Sequence, residues 1–256
     1  MSCNSDLRLK EGEVVDQLGY QGLKIIQDPR RFKFTIDALL LASFINPKPT
    51  QRVIDLGSGG GVLPLLLAGQ DQVQQVIGLE IQPELVDMAT RSAVLNQLET
   101  QITFYEADLR QQLPQALKPN SFDYVISNPP YFPVDAGMVS ENQALAIAKF
   151  ELCCSLPDVL RAAVRLVKGN GKVVLIYPSQ RMEHLFGYLG QFNLSPQKVC
   201  YVHPNHTASS NLMLVEARPG KKGNLQVLPP IFVYENNRYS PQMDQIFHGQ
   251  KIENIF

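Results

Sequence analysis

The stretch RVIDLGSGGGVLPLLLAG, residues 52–69, decides the fold. RVIDLG (52–57) reads as a buried strand, and Gly61–Gly69 reads as a helix. Between them lie Gly57, Gly59, Gly60 and Gly61, preceded by Asp55. A glycine-rich turn from strand to helix lets a ligand approach the backbone closely. No Gly-Lys-Ser/Thr follows, so the turn is not a P-loop. Its spacing, GxGGG, also departs from the GxGxxG of dinucleotide-binding turns.

The same alternation runs outward from this stretch. QQVIGLE (74–80), ITFYEAD (102–108), FDYVISN (122–128) and GKVVLIYP (171–178) read as strands. PELVDMATRSAVLNQ (83–97) is amphipathic and opens on proline, where proline fits a helix. SLPDVLRAAVRLV (155–167) opens with Ser155 and Asp158 at capping-box spacing, and a further helix covers about 180–192. This order predicts a parallel sheet with helices on both faces. QKVCYVHP (197–204) and NLMLVEA (211–217) are separated by six residues, too few for a crossover helix, so they pair antiparallel at one edge. The expectation is an α/β, Rossmann-like, mostly parallel seven-stranded sheet ending in an antiparallel hairpin. Residues 51–217 form its core. Residues 1–50 form an N-terminal extension, with QGLKIIQ as a strand or hairpin and TIDALLLASFI as a helix capped by Thr35. Residues 218–256 form a tail that packs back or adds a short strand, within one domain overall.

Composition sets bounds. Hydrophobic residues make up 45% of 256, enough for a full core, and the net charge of −1 argues against a protein coated in positive charge. The four cysteines, Cys3, Cys153, Cys154 and Cys200, form no CxxC pair, so neither a disulfide framework nor a zinc site is expected. Cys153-Cys154 reads as part of a buried helix. His203-x-x-His206 lacks further ligands at metal spacing. Apolar runs such as DALLLASFI are about half a membrane span. With no secretory signal in MSCNSDLRLKEGE, a soluble cytoplasmic protein is expected.

Three acids end three successive strands: Asp55, Glu80 and Asp108. In a parallel sheet those ends face one crevice, the usual ligand site. Glu80 stands 25 positions after Asp55, where a carboxylate would meet ribose hydroxyls. The fourth strand then runs into SNPPYF (127–132). Two prolines suit neither a helix interior nor a central strand. The string is a stiff loop at the mouth of the same crevice.

DLGSGGG (55–61) with these acids resembles the class I S-adenosylmethionine-dependent methyltransferases, whose glycine motif is [DE]xGxGxG. The resemblance spans about 51–217, including the hairpin; a Rossmann oxidoreductase, the rival, has no reason to end in one. It implies S-adenosylmethionine as cofactor. Asp55 and the turn at Gly57, Ser58, Gly59 and Gly61 would lie against its methionine part. Glu80 would take the ribose and Asp108 would accept from the adenine amino group, with Ile81, Leu109 and Asn128 as further cofactor contacts. NPPY (128–131) is similar to the [DNS]PP[YFW] of families that methylate planar nitrogens. A conjugated amine is a poor nucleophile. The Asn128 side-chain oxygen and a carbonyl of the Pro129-Pro130 pair can accept its hydrogens and aim its lone pair. Tyr131 offers a face for the target ring. The motif also occurs with adenine N6, guanine N2 and glutamine acceptors.

QDPRRFKFTIDALLLASF (27–44), IAKFE (147–151) and HP…NLMLVEARPGKKGNLQVLPPIFVYE (203–235) resemble the bacterial valine-tRNA adenine-37 N6-methyltransferases over nearly the whole chain. That implies N6-methylation of an anticodon-loop adenine in tRNA. Guanine N2 or a protein glutamine is the alternative acceptor, and a non-catalytic RNA-binding module stands last. Phe150 replaces the histidine that relatives commonly carry. By this resemblance the segment before the glycine motif closes over the donor, with Phe34, Thr35 and Asp37 in contact. Local basicity marks candidate RNA contacts: Arg30, Arg31, Lys33, His203, His206, Lys221 and Lys222.

Overall fold

The computed structural model describes residues 8–18, 22–30, 36–69, 73–129, 154–220 and 223–255. β1 (Val14–Gln17) and β2 (Lys24–Gln27) pair antiparallel, with Val15 opposite Ile26. α1 (Ile36–Phe44) is buried from Leu39 to Phe44, as a helix apolar on nearly every side beyond its first turn must be. The cap expected from Thr35 lies outside the described residues.

Strands and helices then alternate. They are β3 (Arg52–Leu56), α2 (Val62–Ala68), β4 (Gln75–Glu80), α3 (Pro83–Leu95), β5 (Ile102–Glu106), β6 (Phe122–Ser127), α4 (Leu156–Leu166), β7 (Val167–Pro178), α5 (Met182–Gln191), β8 (Leu194–His203) and β9 (Leu212–Pro219). In space the strands lie in the order β8-β9-β7-β6-β3-β4-β5. β3 to β7 pair in parallel, and β9 runs antiparallel to both β7 and β8.

The tail adds more than expected. β10 (Gln226–Val227) and β11 (Ile231–Phe232) both pair in parallel with β8, so the sheet has nine strands among the described residues and the hairpin is not its edge. Pro229 and Pro230, which cannot donate to a ladder, split the tail strand in two. β12 (Tyr234–Glu235) and β13 (Arg238–Tyr239) form a separate hairpin, followed by α6 (Pro241–Phe247).

Side chains alternate across the strands, and the two faces bury separate cores. Val53, Val76, Ile126 and Val174 join α1, α2 and the tail residues Met243 and Ile246. Ile54, Ile77, Val125 and Val173 join α4 and α5 on the other face. β7 begins directly at Val167 rather than at Gly171, and its register against β6 shifts between Phe122 and Tyr124. Ser155 caps α4 as its spacing predicts: its N–H donates to Asp158 Oδ2 at 3.0 Å. The buried-helix reading of Cys154 is corrected. It is half-buried in the extended lead-in to α4, because the cap comes after it; Cys153 lies outside the described residues.

The β1–β2 hairpin is fastened to α3. Ile26 N–H donates to Ser92 Oγ (2.9 Å), Lys24 N–H donates to Asn96 Oδ1 (2.9 Å), and Arg91 bridges Glu13 and Asp87. None of the described helices is long and apolar enough to cross a membrane.

Candidate methyl-donor and amine site

The chain moves outward from β3 through β4 to β5, then returns to place β6 on the other side of β3. Such a reversal opens a crevice at the carboxyl ends of the strands. Asp55 lies opposite Ile126 in the ladder. Gly57 and Asn128 each come two residues later, so the glycine turn and the Asn-Pro pair leave the sheet side by side. The Ser127 hydroxyl, buried, donates to the Leu56 carbonyl at 2.6 Å and ties the two exits together.

Gly57, Gly59 and Gly61 have φ of 78°, 53° and 82°, the left-handed region that suits glycine. The N–H groups of Gly57 and Ser58 both donate to the Leu79 carbonyl, at 2.9 and 2.8 Å, which hangs the turn on β4. The Phe104 ring lies beneath. A Cβ on Gly61 would stand 2.7 Å from Phe104 Cζ, and one on Gly78 would stand 2.6 Å from Phe104 Cε1. Glycine at both positions lets one aromatic ring support the turn.

The three acids have three different environments. Glu80 is 2% exposed. It accepts from Gly59 N–H (2.9 Å) through one oxygen, and from Ile81 and Gln82 N–H (2.9 and 3.0 Å) through the other. Burial raises its pKa, and these N–H groups oppose the rise. Asp55, also 2% exposed, accepts no hydrogen bond from the described residues. Burial and the neighbouring Glu80 charge push it up to about 8. Asp108 is the reverse case: the Arg110 guanidinium grips it at 2.8 and 2.9 Å and holds it below the usual carboxylate range. Gln111 adds a longer contact. The Ser58 hydroxyl is buried and has no partner among the described residues.

Ile81 and Leu109 are half-buried where β4 and β5 end, and Asp37 is half-buried in the first turn of α1. Asn128 is half-buried and Pro129 buried; Pro130, Tyr131, Phe34, Thr35 and Phe150 lie outside the described residues. A shallow cleft, with room for about one water molecule, opens beside Gly60, lined by Ile25, Ile26, Asp28, Leu85 and Met88. Three features had no individual signal in the sequence, because each joins segments far apart in the chain: this cleft, the Ser127 bond and the Phe104 support. The grip of Arg110 on Asp108 is a contact between near neighbours that the strand reading passed over.

The basic candidates separate. Arg30 is bound to the buried Asp28 carboxylate at 2.8 Å and to the Glu11 carbonyl, so its charge is engaged within the protein. His203 Nδ1 lies 2.9 Å from the Ala208 carbonyl, which can only accept, so that nitrogen carries a proton. His206 stacks on Phe232 with centroids 3.9 Å apart. Arg31, Lys33, Lys221 and Lys222 lie outside the described residues.

A sheet reversed at β3, a left-handed glycine turn at that reversal and an antiparallel hairpin beyond β7 define a class I, Rossmann-like methyltransferase architecture. A family model described as "Methyltransferase domain" matches residues 47–222, and the chain belongs to that family. Within it, the chain is similar to the tRNA1(Val) (adenine(37)-N6)-methyltransferase of Parabacteroides distasonis, at 26% identity over 89% of this chain and 94% of that one. It is also 26% identical to the enzyme of the same description from Tolumonas auensis, over 87% of this chain and 91% of that one. Among solved structures, a predicted O-methyltransferase from Agrobacterium tumefaciens superposes with a TM-score of 0.68 at 24% identity, covering 84% of this chain and 97% of that one. P. horikoshii TYW2 superposes at 0.57 with 16% identity, covering 82% of this chain and 72% of that one.

Proposed function

We propose that this protein transfers a methyl group from S-adenosylmethionine to N6 of an adenine in tRNA, at an anticodon-loop position. One observation carries the reading: Asn128 and Pro129 leave β6 directly beside the glycine turn that leaves β3. A donor cradled by the turn and an amine held at Asn128 are therefore neighbours. The descriptions of the relatives, all naming adenine-37 of tRNA1(Val), support the acceptor.

The residues present fit the donor. Asp55 offers a buried carboxyl that no described residue engages; the cationic methionine part would supply the missing counter-charge and favour its ionised form. Gly57, Ser58, Gly59 and Gly61 line the same end of the turn. Glu80, already oriented by three backbone N–H groups, has lone pairs left for ribose hydroxyls. Asp108, held in place by Arg110, would accept from the adenine amino group, with Ile81 and Leu109 as its apolar flanks. S-adenosylmethionine, when bound, supplies a methyl group already activated on a sulfonium, so no strong general base is required.

The rest of the chemistry is positioning. The Asn128 side-chain oxygen and a proline carbonyl accept the two hydrogens of the exocyclic amine and keep its lone pair directed at the donor. Tyr131 carries the ring. Residues 1–50, through Phe34, Thr35 and Asp37, close over the donor. Residues 51–217 carry the chemistry, and 218–256 complete the fold as a tail. A tRNA substrate places the work in the cytoplasm.

The test is incubation with radiolabelled S-adenosylmethionine and tRNA from cells lacking the modification, followed by nucleoside analysis. Label in N6-methyladenosine is expected. Label in guanine N2, in protein glutamine, or in neither macromolecule overturns the reading.

A further inference from the structure

We infer that the C-terminal tail and the β8–β9 loop form a stacking platform for unpaired nucleotides of the substrate RNA beside the catalytic crevice. The inference rests on the RNA-substrate reading above and adds to it a second contact surface.

Strand directions place the platform. β9 is antiparallel to both β7 and β8, so β8 runs with β7 and β6. The end of β8 at His203 therefore lies at the same edge of the sheet as Asn128. Ser179, just after β7, donates its hydroxyl to the Ser210 carbonyl at 2.6 Å and holds the β8–β9 loop to that edge. β11 is parallel to β8, so the chain beyond Phe232 also emerges there. Two backbone bonds then lock tail to loop: Val233 N–H to the His203 carbonyl (2.9 Å) and Tyr234 N–H to the Pro204 carbonyl (2.8 Å).

Two ring stacks rise from this joint. His206 lies on Phe232, with centroids 3.9 Å apart and planes 29° apart, and the histidine is exposed. Tyr234 lies on Tyr239, with centroids 5.2 Å apart and planes 21° apart, and Tyr239 meets Phe247 edge-on at 4.8 Å. Tyr234 and Tyr239 are each 42% exposed. The scaffold under them is stiff. Asn236 and Asn237, with φ of 50° and 60°, make the two-residue turn that matches strand twist and sets Tyr234 opposite Tyr239.

The chemistry suits bases. Exposed aromatic faces with polar rims are what unstacked bases use in sequence-tolerant recognition of single-stranded RNA. Arg238 is exposed on the same hairpin, but Glu235 lies opposite it, so stacking rather than net charge carries the contact. A loop presenting one adenine to the crevice has splayed neighbours to place, and these rings stand at the same sheet edge as that crevice.

The test uses the full chain, a fluorescent synthetic anticodon stem-loop RNA, and the variants Tyr234→Ala, His206→Ala and Tyr234→Phe. Each alanine variant is expected to bind the RNA about tenfold more weakly and to raise KM for tRNA with kcat kept. Donor affinity by calorimetry and the salt slope of RNA binding stay unchanged, since no phosphate contact is removed. Tyr234→Phe keeps wild-type affinity. The chain has no tryptophan, so Tyr234→Trp provides a single reporter whose emission should be quenched as RNA saturates it. RNA affinity unchanged in the alanine variants, or unquenched emission at saturation, overturns the platform while the enzyme still methylates RNA. If the wild-type protein labels a protein acceptor and no RNA, the substrate reading fails and the platform with it.

Discussion

Asp55→Asn is expected to reverse the pH dependence of a stability difference, because the structure makes this carboxylate costly. It is 2% exposed, lies near Glu80 and is pushed up to about 8. An unfolded aspartate titrates near 3.9. Between about pH 4 and pH 8 the folded chain keeps a proton that the unfolded chain has lost. Stability therefore falls as pH rises through that window and levels off above it. Each pH unit is worth about 1.4 kcal/mol, so the whole window spans roughly 5 kcal/mol. Asparagine keeps the shape and removes the charge, but its buried amide, left unpaired, costs about 1–3 kcal/mol. The variant should be the less stable protein at pH 4.5 and the more stable one at pH 8.5, by about 2–4 kcal/mol. Glu80 adds a slope of its own to both proteins. Urea unfolding of the two proteins at pH 4.5, 6.5 and 8.5 reads the difference directly. A gap that stays constant across these pH values refutes the protonated, buried carboxyl. Calorimetry with S-adenosylmethionine should show that the more stable variant binds the donor less well, the usual trade between a strained site and stability.

Asn128→Ala should lower kcat by about 100-fold or more while leaving donor affinity near wild type, since it removes acceptors aimed at the reacting amine; single-turnover kinetics with calorimetry separates the two. Gly78→Ala drives a methyl group into Phe104 and should cost about 1–3 kcal/mol. Adding Phe104→Leu should restore part of that loss in denaturant melts, and no restoration would refute the clash. Lys251 is buried, donates to the Ala42 carbonyl at 3.0 Å and is pushed down to about 8 by burial. Its folded state binds a proton less readily than the unfolded chain, so its cost is fully present below about pH 8 and fades as pH rises toward 10. Lys251→Met should therefore gain stability over wild type at pH 7 and lose that advantage by pH 10, read by thermal melts at both.

Much of this molecule could be read locally. Gly57, Gly59 and Gly61 need positive φ, and a strand followed by such a turn and a buried helix has few alternatives. The spacing of Ser155 and Asp158 sufficed to start α4. The six-residue gap between the last long strands was enough to make them antiparallel. The tail was harder, because two-residue strands carry almost no periodic signal and exist only through the edge β8 offers.

The chemistry of the acids was not legible in the same way. Asp55, Glu80 and Asp108 look alike in sequence, each a carboxylate ending a strand. Folding separates them: one is buried beyond reach of the described donors, one is bound by three backbone N–H groups, and one is clamped by a guanidinium two residues on. Arg30 and His206 likewise read as free basic groups. The fold engages the first with Asp28 and sets the second on Phe232. The sequence by itself determined the alternation, the glycine turn and the exit of the fourth strand at Asn128-Pro129, because these follow from backbone sterics and periodicity within a few residues. Only the tertiary structure decided which carboxylate holds a proton, which cation is engaged and which rings face outward. Those properties come from burial and from contacts that only the folded chain makes, some between near neighbours such as Arg30 and Asp28, others between residues tens of positions apart such as His206 and Phe232.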